Sequence, residues 1–365
     1  MPDTISFARG APSLDIVDVD GLKAAAQAAF EHDPAGATGY GTSVGYVPLR
    51  RWIAERHGVA PEQVLVTNGS MQADAFLFDE LVAPGDAVVV EKPTYDRTLL
   101  SLRGRGADVR MVSLEADGID VEELRDLLAT GLRPTLAHII PNFQNPAGYT
   151  LSEPKRHGLL ELAREHGFTI FEDDPYVAIR FSGQTLPTMR ELDADGGRVV
   201  YASSFSKTVC PGIRVGYLLG SEELIARIAK RATNTYISPN QVAQAIVHRF
   251  CVDGGLDRSI ATVKAALAER VRLLTAALDR ELPEASYVAP EGGYFMWVTL
   301  PEGTDVAALF DAATERGVTF VKGTDFLLEG GENTLRLAYS GVTAEQIDEG
   351  IGRLAQAYRA LPVAS

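Results

Sequence analysis

Short apolar runs alternate with helical patterns through the first two thirds of the chain. Val64-Leu65-Val66-Thr67 reads as a strand, and Ser70 to Val82 as a helix. The alternation continues with a strand at Ala87 to Val90 and a helix at Thr94 to Arg103. A strand at Val109 to Val112 precedes a helix at Asp120 to Ala129, and a strand at Leu136 to Ile140 precedes a helix at Glu153 to His166. Further strands are predicted at Phe168 to Glu172 and Arg198 to Tyr201. These strands are apolar at consecutive positions, so both faces are covered, and intervening helices make the pairing largely parallel.

From about Glu222 the pattern turns helical. Asp257 to Leu282 keeps apolar residues at helical spacing with almost no breaker. Beyond it, strands at Tyr294 to Val298, Val318 to Val321 and Thr334 to Ala338 mix with helices at Val306 to Arg316 and Ala344 to Ala360. The predicted class is α/β, with a large domain holding a mostly parallel sheet flanked by helices and a smaller α+β domain. The large domain is placed at residues 36–256, and the small one at 257–365 together with the N-terminal segment 1–35. No Pro/Gly-rich linker marks the boundary.

Composition narrows the function classes. The 365 residues carry a net charge of -15, which disfavours nucleic acid and anionic lipid as partners. Cys210 and Cys251 are too few for a zinc site or a disulfide framework, so a reducing compartment is expected, with a single disulfide between them left open. The six histidines show no paired metal spacing, and no metal is expected. The first residues lack a basic region and an apolar core of signal-peptide type, and no apolar run is long enough to span a membrane. A cytoplasmic location is therefore expected.

In open parallel sheets, ligands bind beyond the carboxyl ends of the strands, and several unusual segments fall there. Lys207 sits in Ser203-Ser204-Phe205-Ser206-Lys207-Thr208, directly after an apolar strand, with Arg214 close behind. A lysine among small residues suggests an amine that reacts with a carbonyl, beside an anion held by the serines and the arginine. Thr67-Asn68-Gly69-Ser70-Met71 joins a strand to a helix whose first N–H groups can hold a phosphate. Glu172-Asp173-Asp174-Pro175-Tyr176 puts adjacent acids after an apolar run, where a carboxylate can keep a pyridinium protonated. Asn142-Phe143-Gln144-Asn145-Pro146 offers amide side chains at the next strand end. Arg336, inside Thr334-Leu335-Arg336-Leu337-Ala338, can clamp a carboxylate with two parallel bonds. Each segment alone also reads as a turn, an N-cap or an edge-strand cation. Gly39-Tyr40-Gly41-Thr42-Ser43-Val44-Gly45 misses the G-x-G-x-x-G spacing and follows no strand, so a dinucleotide loop is rejected.

Taken together and in this order, these motifs resemble the fold-type I pyridoxal-phosphate enzymes, the class I/II aminotransferases, from about Ile5 to Leu354. The resemblance implies pyridoxal 5'-phosphate as cofactor and Lys207 as the Schiff-base lysine. Asp173 matches the acid paired with the pyridine nitrogen, and Tyr176 and Asn145 match the partners of the ring's phenolic oxygen. Ser70, Ser204, Arg214 and the Met71 backbone N–H match the phosphate cup, and Tyr95 matches the aromatic residue stacked on the ring. Arg336 matches the clamp for the substrate α-carboxylate. Tyr40 matches a tyrosine that reaches the neighbouring subunit's cofactor, which implies a homodimer with shared sites. Pro290-Glu291-Gly292-Gly293-Tyr294-Phe295-Met296-Trp297 resembles a small-domain segment of the same family.

Two positions depart from the family. Met71 stands where Gln is common, and Lys322 stands where Pro is common. The implied reaction moves an amino group between an L-amino acid and a 2-oxo acid by a ping-pong mechanism, with Lys207, Asp173 and Tyr176 catalytic. Elimination, cyclisation or decarboxylation remain alternatives on the same scaffold. A non-catalytic sensor is a further alternative, disfavoured by the acidic balance and by the lack of a basic helix-turn-helix pattern ahead of this module. Phe7-Ala8-Arg9-Gly10-Ala11-Pro12-Ser13-Leu14 is expected to cover the pocket, with Gly10 at the substrate beside Arg336 and Asn145. Asp15 or Asp18 could then favour a basic side chain.

Overall fold

The computed structural model describes residues 4–193 and 197–361. Its centre is an eight-stranded sheet. In spatial order the strands are Val64–Thr67, Gly216–Leu219, Val199–Ser204, Thr169–Asp173, Pro134–Ile139, Ala87–Lys92, Asp108–Glu115 and Gly118–Ile119. Pairing is parallel from Val199–Ser204 through Asp108–Glu115. The mostly parallel sheet read from the sequence is therefore present. Gly216–Leu219, which the pattern did not single out, runs antiparallel to both its neighbours.

Successive residues of one strand enter opposite cores. Leu65, Val88, Val90, Leu136 and Phe171 pack under the helices Ser70–Leu81 and Glu222–Tyr236. Val64 and Val66 face the other way, with Tyr201 and Tyr217. Val89, Ala137, Ile139 and Ile170 join a third cluster under the helices Val121–Ala129 and Glu153–His166. This two-sided burial is why the strands lack alternation. Each fully buried Val or Leu contributes on the order of 1.5–3 kcal/mol.

Helix starts follow local chemistry. Asp120 accepts from the Glu122 and Glu123 N–H groups, each at 3.0 Å, and opens Val121–Ala129. Asp305 does the same for Val306–Glu315. Asp18 accepts from Gly21 N at 2.8 Å and caps Val19–His32.

A four-stranded antiparallel sheet lies beyond, in the order Ser286–Tyr287, Phe295–Thr299, Thr334–Ala338, Val321–Lys322. The helices Gly255–Glu281, Val306–Glu315 and Ala344–Arg359 share its core. The single strand expected at Val318 to Val321 is split around the buried Phe320. Val318–Thr319 pairs with the N-terminal Ile5–Ser6, whereas Val321–Lys322 pairs with Leu335 and Arg336. The N-terminal residues are shared between cores. Ile5, Phe7 and Ile16 join the small-sheet cluster, and Ala25 and Ala29 join the cluster of Leu49 and Val64. The long helix Gly255–Glu281 is shared likewise, by Leu256 on one side and Val263, Leu267 and Leu274 on the other. Among the described residues, no helix is long and apolar enough to cross a membrane.

Candidate active site

A cavity of about 490 Å³ opens where the carboxyl ends of the parallel strands meet the small sheet. It collects Gly10, Ser70, Met71, Tyr95, Asn145, Asp173, Tyr176, Ser204, Lys207, Arg214 and Arg336 on one wall system. Of the residues matched to the family's cofactor and substrate contacts, Tyr40 alone stays outside it, 92% exposed on the surface. Loops separated by up to 326 positions, from Gly10 to Arg336, thus converge on one site.

Lys207 follows the strand Val199–Ser204, and its Nζ donates to the Gly10 carbonyl at 3.0 Å. Burial, followed by the Arg336 charge, lowers its amine to about 8. Asp173 raises it and Arg214 lowers it further, both as smaller effects. The ammonium also lies 5.1 Å from the Tyr294 ring and 5.4 Å from the Tyr176 ring. Gly10 is required by packing: a Cβ there would come within 2.4 Å of the Phe295 ring.

Asp173 ends the strand Thr169–Asp173 as a buried acid whose Oδ1 has no hydrogen-bond partner. Its Oδ2 lies 3.6 Å from His138 Nε2, and both ring nitrogens of the buried His138 lack hydrogen-bond partners. Asp74, one turn into the helix Ser70–Leu81, is also buried in the cavity wall with Oδ1 unpartnered. Desolvation, then the Asp173 charge, pushes its carboxyl well above the ordinary range. Tyr176 is buried against Tyr294 and Phe295 with its hydroxyl raised, chiefly by desolvation.

The helix Ser70–Leu81 begins after Gly69, and no side chain caps it. Gly69 has φ 85°, and a Cβ there would meet Arg214 Nη2 at 2.2 Å. Arg214, itself at φ 50°, reaches Ser206 Oγ and the Asn68 carbonyl, each at a long 3.4 Å. Ser206 Oγ and Ser204 Oγ are 2.9 Å apart. An uncapped helix start, two serine hydroxyls and a loosely held guanidinium form an anion cradle. Opposite it, Arg336 pairs across the small sheet with Trp297 and Val321. It donates to Asn145 Oδ1 at 2.9 Å and to the Ala8 carbonyl at 2.8 Å, and its buried Nε has no partner. Burial lowers it to about 10, so it stays charged at neutral pH.

These residues fit a phosphorylated pyridine: an anion cradle at one end, an unpartnered carboxylate oxygen for a ring nitrogen, and an amine between. Ser206, Asp74 and His138 were missed from the sequence. Ser206 stood inside the quoted lysine segment, and His138 was a polar residue inside an otherwise apolar strand. Asp74 gave no signal beyond being an acid on the buried side of a helix. The expectation that Asp15 or Asp18 serves the pocket is corrected. Asp15 does not line the cavity, because Arg270 Nη2 holds it at 2.7 Å, and Asp18 is used up as a helix cap. Lys322 turns its ammonium toward Phe310, at 5.9 Å from the ring centre, although its neighbour Val321 lines the cavity.

Known proteins resemble this chain over nearly its whole length. The family model for aminotransferase class I and II matches residues 2–354. The chain is 34% identical to the aromatic-amino-acid aminotransferase 1 of Thermococcus litoralis, over 97% of this chain and 88% of that protein. It is 34% identical to the 2-aminoadipate transaminase of Thermus thermophilus, over 99% and 91% respectively. The crystal structure of the Thermus thermophilus α-aminoadipate aminotransferase, complexed with N-(5'-phosphopyridoxyl)-L-leucine, superposes with a TM-score of 0.93 at 34% identity. That match covers 98% of this chain and 92% of the other.

Proposed function

The chain belongs to the class I and II aminotransferase family, and from that footing we propose which of its residues carry the reaction. It is a pyridoxal-phosphate-dependent aminotransferase that moves an amino group between an L-amino acid and a 2-oxo acid in two successive half-reactions at one site. When bound, pyridoxal phosphate supplies an aldehyde carbon for the amino group and an electron-withdrawing ring that stabilises negative charge at the substrate Cα.

The chain's own residues do the rest. Ser70, the Met71 N–H, Ser204, Ser206 and Arg214 hold the phosphate. Asp173 accepts from the protonated ring nitrogen through its unpartnered Oδ1 and keeps that proton in place. Asn145 and Tyr176 orient the ring oxygen, and Tyr95 covers the ring face. Arg336 clamps the substrate α-carboxylate, with Asn145 and the Ala8 carbonyl fixing the plane of its guanidinium. Lys207 Nζ would take the proton from the substrate Cα and deliver it to the cofactor's former aldehyde carbon. That task requires a neutral amine, and lowering from 10.5 to about 8 raises the neutral share from a trace to roughly one tenth at pH 7 and to most of the amine above pH 8. The carrying observation is this lowered amine, with Asp173 and Arg336 lining the same cavity.

A homodimer with shared sites is part of this reading. Tyr40 stands exposed on a loop whose Ser43 carbonyl accepts from the Tyr236 hydroxyl at 3.1 Å, and Ile237 and Val242 beside that contact are exposed apolar residues. A cytoplasmic location is supported by the two free thiols, Cys210 and Cys251. The relatives named for aromatic amino acids and for 2-aminoadipate support a substrate with a long side chain. The test is a screen of amino acids and 2-oxo acids in separate half-reactions, with each keto product identified by mass. A protein that binds pyridoxal phosphate but releases no keto acid from any amino acid overturns the reading.

A further inference from the structure

Once the cofactor and the α-carboxylate have their partners, the charges left on the outer cavity wall are Asp96, Arg97 and Asp325. Asp96 and Arg97 offset each other, with Nε 3.5 Å from Oδ2. No ion pair or side-chain hydrogen bond engages Asp325 among the described residues, and its carboxylate stands exposed at the cavity wall. The two acids lie on segments that are tied together: the Thr94 N–H donates to the Phe326 carbonyl at 3.1 Å. Both also lie near enough to Arg336 to support its charge.

Between Arg336 and these carboxylates the wall is apolar. The Phe326 and Phe295 rings lie 4.8 and 4.2 Å from the Arg336 guanidinium carbon, and Val321 and Tyr95 also line the cavity. Arg336 itself is buried and lines the cavity, and its Nε has no hydrogen-bond partner. A molecule clamped there by its carboxylate lays its side chain along this apolar wall.

We propose that Val321, Phe326 and Asp325 form the side-chain subsite, and that it selects an L-amino acid whose apolar stem ends in a cationic group over one that ends in a carboxylate. This deepens the functional reading and rests on Arg336 as the α-carboxylate clamp. A distal carboxylate meets Asp325 and Asp96 as like charges. The one cation on this stretch, Arg97, is already engaged by Asp96 and leaves 57% of its side chain to solvent. A distal ammonium gains Asp325 without displacing any existing pair.

The test uses cofactor-loaded protein and ligands with no α-amino group, so that no turnover intervenes: hexanoate, 6-aminohexanoate and adipate, measured by calorimetry. The expected order is 6-aminohexanoate tighter than hexanoate by about fivefold, with adipate weakest. In Asp325→Asn the advantage of 6-aminohexanoate over hexanoate should fall to about twofold or less. Arg97→Ala should not weaken adipate. Adipate binding tightest overturns the proposal, as does an undiminished 6-aminohexanoate advantage in Asp325→Asn or the absence of any preference. Hexanoate binding that survives Arg336→Ala removes the clamp reading instead, and the comparison across Asp325 still decides which end group this wall prefers.

Discussion

Arg336 Nη1 donates to Asn145 Oδ1 at 2.9 Å, joining the central strand of the small sheet to the loop that ends a strand of the large one. One contact thus sets the proposed substrate clamp and the proposed cofactor amide relative to each other. The amide oxygen is spent on the arginine, which leaves the Asn145 NH2 as a donor toward the ring. The guanidinium also lies over two phenyl rings, and its planar fork donates to Asn145 and Ala8 together, which a lysine cannot reproduce.

Arg336→Lys should therefore raise the amino-acid KM by roughly 10- to 100-fold, with a smaller change in kcat. Asn145→Ala should raise KM less and also weaken cofactor binding, because it serves both groups. Steady-state kinetics on both half-reactions, with cofactor affinity measured by titrating the apoprotein, separates the two. Equal effects on both parameters in Arg336→Lys would place the carboxylate elsewhere.

The lowered Lys207 amine predicts a pH dependence. Its ordinary value is near 10.5, and burial and Arg336 bring it to about 8. Above that value the amine is neutral and nucleophilic; below it, protonation blocks attack on an aldehyde. The rate at which apoprotein captures pyridoxal phosphate, followed by visible absorbance, should rise as pH passes through about 8 and level off above it. Lys207→Ala should lose that absorbance and reduce turnover by about 10²- to 10⁴-fold. A capture rate that keeps climbing toward pH 10 would mean that the amine is not lowered.

Asp74 and Asp173 should behave oppositely. Asp173→Asn removes the acceptor for the ring nitrogen's proton and should slow both half-reactions steeply while cofactor stays bound. Asp74 is pushed up by burial and by Asp173, so the folded state holds its proton more tightly than the unfolded state does. Its contribution to stability is present at acid pH and is lost as pH rises from the ordinary carboxylate range toward the raised value. Asp74→Asn removes this loss, because an amide does not titrate. Apoprotein carrying Asp74→Asn should melt higher than the parent, with a gap wider at pH 8 than at pH 5. A constant gap would show that Asp74 does not titrate differently on folding.

Most strands were legible because they are apolar on nearly consecutive positions, which also predicts cover on both faces; Asp108–Glu115, near the sheet edge, carries Arg110 and alternates in exposure. Gly216–Leu219 was not legible, because four residues after a long loop carry too little pattern to reveal an antiparallel insertion. The site was legible where a residue type is odd for its place: Lys207 among serines, Asp173 after Phe171, Arg336 between leucines. Asp74 and Ser206 were illegible for the opposite reason. An acid on a helix and a serine in a turn are ordinary in sequence, and only the packing of Asp74 beside Asp173 and of Ser206 beside Arg214 gives them a role. Asp15 shows the converse error: proximity in sequence to a pocket segment says nothing while Arg270, 255 positions away, can claim the side chain.

Tyr40 offers a decisive test of shared sites. It is 92% exposed and lies outside the cavity of its own chain, so a role at a cofactor phosphate requires a second copy. Tyr40→Ala alone should weaken cofactor binding and lower activity, and Lys207→Ala alone should be inactive. In a hybrid of the two variants, one site combines both defects, while the other takes Lys207 from one chain and Tyr40 from its partner. Mixing and refolding the variants should therefore restore activity toward one native site per hybrid. If Tyr40 acted within its own chain, each site of the hybrid would keep one defect, and mixing would restore nothing. Sedimentation of the parent protein should show a dimer at assay concentration; a monomer with full activity would remove Tyr40 from the site altogether.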